Sequence, residues 1–124
     1  MAYDPSNIFA KIIRHEVPCK KVLENDVALA FYDIFPKAPI HVLVIPKGFY
    51  SDSIEFYSQA SEAEIVGFYR FLGQVIEHLG IKEKGFRLLS NYGRDGGQEV
   101  PHFHVHILAG RSLGPMVAHS ADSC

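Results

Sequence analysis

The sequence predicts an α+β fold: an antiparallel sheet of about five strands, with one long and one short helix packed on one side. Three observations carry this. A capped helical pattern with a single apolar stripe follows Ser61. Several short β-branched and aromatic runs are separated by turn residues. The segment His102–Ala109 alternates polar and apolar residues, as a strand with two different faces does.

In chain order, Ser6 is a candidate cap for a short helix to about Arg14, with Ile8, Phe9, Ile12 and Ile13 at helical spacing. Pro18 stops it. Lys21–Leu23 reads as a strand, Glu24-Asn25-Asp26 as a turn and Val27–Tyr32 as a second strand that ends at Asp33. Pro36 and Pro39 mark a loop. Ile40–Ile45 is an apolar strand closed by Pro46, with His41 near its start. Ser61 and Glu64 form the S-x-x-E pattern of a capping box. Ile65, Phe68, Tyr69, Leu72, Val75, Ile76 and Leu79 then repeat at helical spacing up to Gly80, a C-terminal cap. A strand from about Gly85 to Asn91, a glycine-containing loop from Tyr92 to Pro101 and a strand from His102 to Ala109 complete the order. Residues 110–124 read as an irregular tail of the same single domain, 1–124.

Hydrophobic residues make up 48% of the 124 and charged residues 21%, which suits one domain with a real core and excludes global disorder. The net charge of -2 argues against a DNA- or RNA-binding face. No apolar run approaches the roughly 18 residues of a membrane span, and the start lacks a signal-peptide pattern, so no membrane association is expected. Cys19 and Cys124 stand far apart, which suits neither a disulfide scaffold nor a cysteine zinc site, and a reducing cytoplasm is the default location.

His102, His104 and His106 share one strand face, opposite Phe103, Val105 and Ile107. Three readings fit. The first is a solvated face rich in histidine. The second is a metal site, since neutral imidazoles ligate zinc or iron, although neither an HExxH motif nor a carboxylate facial triad is evident and no cysteine is near. The third is nucleophilic catalysis: one imidazole attacks phosphorus, a hydrogen bond holds its other nitrogen, and a neighbouring imidazole stabilises the developing negative charge.

His102 to Leu108 reads His-φ-His-φ-His-φ-φ, with φ apolar, and resembles the signature of the histidine triad (HIT) superfamily. The resemblance extends to Phe9–Arg14, to Phe31–Ile34 with Pro36–Pro39, to His41–Lys47, and to Asn91, Gly93, Asp95–Gln98 and Pro101. Ala109-Gly110-Arg111 follows the triad as in the histidine-triad nucleotide-binding (Hint) branch. The Fhit-like dinucleotide hydrolases share the triad but match less of the chain.

The resemblance implies a HIT-like fold that dimerises edge to edge into one sheet of about ten strands. It implies a metal-independent hydrolase that needs no cofactor and releases AMP or GMP from purine nucleoside phosphoramidates through a nucleotidyl-histidine. A nucleotide-binding protein with little turnover and a Fhit-like dinucleoside polyphosphate hydrolase are the alternatives. His104 matches the nucleophile, His106 the imidazole that contacts phosphate, His102 the supporting histidine and His41 a fourth, coupled histidine. Asn91 matches a phosphate contact and Asp33 the carboxylate that binds ribose hydroxyls. Ile8, Phe9, Ile12 and Ile34 match the apolar base pocket, and Gly97 and Gln98 belong to the substrate-facing loop. Glu99 departs from the pattern: animal members of the branch carry a serine there. Without the resemblance, His41 reads as a core histidine and Asp33 as a turn residue.

Overall fold

The computed structural model describes residues 2–118. Cys124 and the end of the predicted tail lie outside the described residues. The elements run α1 (Ile8–Ile13), β1 (Lys21–Glu24), β2 (Ala28–Tyr32), β3 (Ile40–Pro46), α2 (Ser53–Gln59), α3 (Glu62–Leu79), β4 (Arg87–Leu89), α4 (Gly93–Gly96) and β5 (Val105–Ala109). The strands form one antiparallel sheet in the order β1-β2-β3-β5-β4. This is the expected α+β architecture.

The sheet is covered on both faces, where the sequence predicted helices on one. Ala28, Ala30, Val42, Val44, Val105 and Ile107 meet Phe56 of α2 and Phe68, Leu72 and Val75 of α3. Leu29, Phe31, Leu43 and Ile45 point the other way, onto Phe9 and Ile12 of α1. The reason lies in β2 and β3, which are apolar at consecutive positions. A strand of that kind needs cover on both sides.

The long helix begins as expected. The Ser61 side chain accepts the Glu64 N–H at 3.1 Å, and Glu64 accepts the Ser61 N–H at 3.3 Å. Gly80 ends it with φ 67°, the left-handed region that glycine enters freely. The short helix is capped by Asn7, not Ser6: the Asn7 side chain accepts the Ala10 N–H, while Ser6 bonds Asp4. Helices α2 and α4 occupy segments with no predicted helix.

Two strands are shorter than predicted. β4 covers three residues, and β5 starts at Val105. Residues 102–104 alternate like a strand but bond to loops instead. The Phe103 N–H donates to the Tyr50 carbonyl at 2.7 Å, and the Ser90 hydroxyl donates to the His104 carbonyl at 2.8 Å. Among the described residues, no helix is long and apolar enough to cross a membrane.

Candidate active site

Antiparallel pairing of β3 with β5 sets His41 opposite Leu108 and Leu43 opposite His106. His41, Leu43 and His106 thus share the sheet face that α1 covers. The Phe9 ring packs edge-on to His104, with centroids 5.0 Å apart. Burial is the main cause of the pKa shifts of His41, His102, His104 and His106. His102 and His106 are each lowered to about 4, and His41 and His104 are lowered as well. Asp33 opposes the shift at His41, His104 and His106, and Glu99 opposes it at His104. All four rings are therefore neutral near pH 7, and the hydrogen bonds decide which nitrogen of each carries its proton.

At His104, Nδ1 lies 2.6 Å from the His102 carbonyl. A carbonyl only accepts, so Nδ1 holds the proton and donates it. Nε2 is left bare, with its lone pair free.

At His41, the Lys37 N–H donates to Nδ1 at 3.0 Å. Nδ1 is an acceptor, so the proton sits on Nε2. His41 Nε2 then donates to His106 Nδ1 at 2.9 Å. That forces the His106 proton onto its Nε2, a buried atom with no hydrogen-bond partner. A backbone amide thus fixes, through two rings, a donor that awaits an acceptor.

The site is a cavity of about 250 Å³. Eight of the residues singled out in the sequence line it: His104, His106, His41, Asp33, Asn91, Phe9, Gly97 and Glu99. The others do not. His102 lies behind the wall, wholly buried. Ile8 and Ile34 are exposed, at 42% and 81%. Ile12 belongs to the apolar layer between α1 and the sheet. The Gln98 amide donates to the Ser51 and Val100 carbonyls. Asp33 Oδ1 accepts the Phe35 N–H at 2.8 Å, so its turn role is real, while Oδ2 lies 3.5 Å from His41 Nε2.

Lys37, Leu43, Leu89, Val100 and Leu108 also line the cavity and were not anticipated. Strand alternation was a usable signal for Leu43 and Leu108, which share the face of His41 and His106. The fold further brings Asp33, His41 and His106 together with potential ligand atoms all within 4.8 Å of one another. No carboxylate facial triad was evident in the sequence, and it is the fold that places Asp33 beside these two histidines. A metal ion there would have to replace the proton shared by His41 and His106.

Comparison with known proteins agrees with this geometry. The HIT domain matches residues 14–113. An uncharacterised HIT-like protein of Azospirillum brasilense is 58% identical over 115 residues, covering 93% of this chain and 94% of that protein. The purine nucleoside phosphoramidase of Escherichia coli is 44% identical over 112 residues, covering 90% of this chain and 93% of that enzyme. Among solved structures, a HIT family hydrolase from Clostridium thermocellum superposes with a TM-score of 0.82 at 36% identity, covering 91% of this chain and 97% of that one. A triad of histidines before and on β5, a five-stranded antiparallel sheet and a domain match over most of its length together establish that this chain belongs to the histidine triad (HIT) family.

Proposed function

We propose that the protein is a metal-independent hydrolase of purine nucleoside phosphoramidates that works through a nucleotidyl-histidine on His104. One observation carries the reading: a bare imidazole nitrogen and an unpartnered buried imidazole N–H, on His104 and His106, serve the same cavity. The first suits attack on phosphorus and the second suits the oxygen on which charge develops. The relative in Escherichia coli that is named for this activity supports the choice of bond.

In the proposed reaction, His104 Nε2 bonds to the α-phosphorus and the P–N bond breaks. The nitrogen leaves with the bonding pair and takes a proton from solvent. The nucleotidyl-imidazolium keeps its Nδ1–H on the His102 carbonyl. Water then adds to phosphorus and gives up a proton to solvent, the P–Nε2 bond breaks, and AMP or GMP departs as the lone pair returns to Nε2. His106 Nε2–H and Asn91 hold the phosphoryl oxygens, and Glu99 faces the departing amine. Release of AMP from an adenosine 5′-phosphoramidate by EDTA-treated protein tests the activity. Binding of AMP without any release would reduce the protein to a nucleotide-binding one.

Asp33 is proposed to hold the ribose hydroxyls. Asp33→Asn is expected to bring the affinities for AMP and 2′-deoxy-AMP together, losing about 1–3 kcal/mol of preference, as removal of a charged hydrogen-bond partner does. Isothermal titration with both ligands checks this, and an undiminished preference would remove Asp33 from the ribose site.

A homodimer belongs to the same proposal. β4 is an edge strand, and Phe86 and Leu88 are exposed there at 39% and 40%, which suits edge-to-edge pairing. Light scattering is expected to give twice the mass of one chain, and a single-chain mass would refute it. A cytoplasmic location is proposed as well, in keeping with the free thiol of Cys19.

A further inference from the structure

We propose that Tyr3 is a positioning residue for the nucleophile and acts through the buried His102; the inference rests on the hydrolase reading, and its NMR test does not. The Tyr3 hydroxyl lies 2.6 Å from His102 Nδ1, a contact between residues 99 positions apart. The direction of the bond is fixed from both ends. His102 Nε2 sits 2.9 Å from the Pro46 carbonyl, which only accepts, so the His102 proton is on Nε2 and Nδ1 is an acceptor. At the other end, the Asn7 Oδ1 takes the Ala10 N–H as the cap of α1. That turns the Asn7 amide nitrogen toward Tyr3, and it donates to the hydroxyl oxygen at 2.8 Å. The Tyr3 proton is left to point at His102.

The result is one chain of donors running from Asn7 through Tyr3 and His102 to Pro46. His102 is wholly buried, so no solvent can replace either bond to its ring. With both ring nitrogens tied, residue 102 is held in place, and its carbonyl is the group that accepts the His104 Nδ1–H. Tyr3 thereby helps to fix the direction of the bare His104 Nε2 without lining the cavity. Its ring is held independently, stacked on Phe49 at 4.8 Å and 3°. The Tyr3 pKa is raised, chiefly by burial, which keeps the hydroxyl a donor.

Tyr3→Phe is the test, because it removes the O–H and keeps the stacking ring. The expected kinetic result is a fall in kcat of about ten- to a hundredfold with KM unchanged, the size of effect that removing an orienting partner gives. A merely structural anchor would alter stability and leave kcat within about twofold, and that result would overturn the proposal. Nitrogen NMR of the histidine rings gives a readout that needs no turnover. In the wild type, His102 Nδ1 should be bare and the His104 Nδ1–H protected from exchange. In Tyr3→Phe, the His104 Nδ1–H should exchange faster. A proton bonded to His102 Nδ1 in the wild type, or unchanged His104 exchange in the variant, would overturn the proposal. If the wild type fails to hydrolyse phosphoramidates, the hydrolase reading falls and the NMR result alone decides the role of Tyr3.

Discussion

Replacing His104 with alanine is expected to lower the release of AMP from an adenosine 5′-phosphoramidate by at least about 10³-fold, while AMP still binds. The expectation follows from the hydrogen-bond pattern. Of the three triad rings, His102 has both nitrogens engaged, by Tyr3 and Pro46. His106 presents a proton, because His41 occupies its other nitrogen. His104 alone offers a lone pair, and burial keeps that nitrogen unprotonated at neutral pH. Neither of the other two triad rings can take over the attack. The variant loses one hydrogen bond, worth about 1 kcal/mol, and the ring contacts with Phe9 and His106, so its folding is checked beside its activity. Retained turnover in a folded His104→Ala protein would remove His104 as the nucleophile.

His106→Ala is expected to lower kcat by about 10²–10³-fold and to leave KM nearly unchanged, the usual result of losing a donor to an oxyanion. The buried Nε2–H has no hydrogen-bond partner within the protein, which leaves it for the charge that develops on the phosphoryl oxygen in the proposed reaction. His41→Ala should act in the same direction with a smaller effect, because it frees the His106 proton to choose either nitrogen. The same burial predicts sensitivity to acid. His102 and His106 titrate near 4 in the folded chain and near the ordinary 6.5 when unfolded. Between these values the unfolded chain binds more protons, so stability falls as the pH drops through that window. Denaturant midpoints compared at pH 7 and pH 5 read the effect, and an unchanged midpoint would contradict neutral, buried histidines.

How much of this was legible in the sequence depended on how local each signal was. The capping box of Ser61 and Glu64 joins neighbours three residues apart, and it formed as read. The triad was legible because strand alternation puts its members on one face. The same alternation carried the predicted strand too far toward its start, since residues 102–104 do not pair in the sheet and the His102 N–H turns back to the Val100 carbonyl. His41 looked like any histidine before an apolar strand, and only the family resemblance singled it out. Leu43, Leu89, Val100 and Leu108 could not be told from core residues, because a cavity wall and a core use the same side chains. The apolar positions Ile8, Ile12 and Ile34 lie off the lining of this cavity, Ile8 and Ile34 on the exposed surface and Ile12 in the layer under α1. Tyr3 left no trace in the sequence: the ring that it touches is 99 positions away.

The proposed reaction stands on a covalent bond between His104 and the nucleotide. Mixing EDTA-treated protein with an adenosine 5′-phosphoramidate, quenching within milliseconds and measuring intact mass tests it directly. An added adenylyl group should map to His104, form before AMP appears and be absent from His104→Ala. AMP release without any adduct, an adduct on a different residue, or release that requires an added metal ion would contradict it.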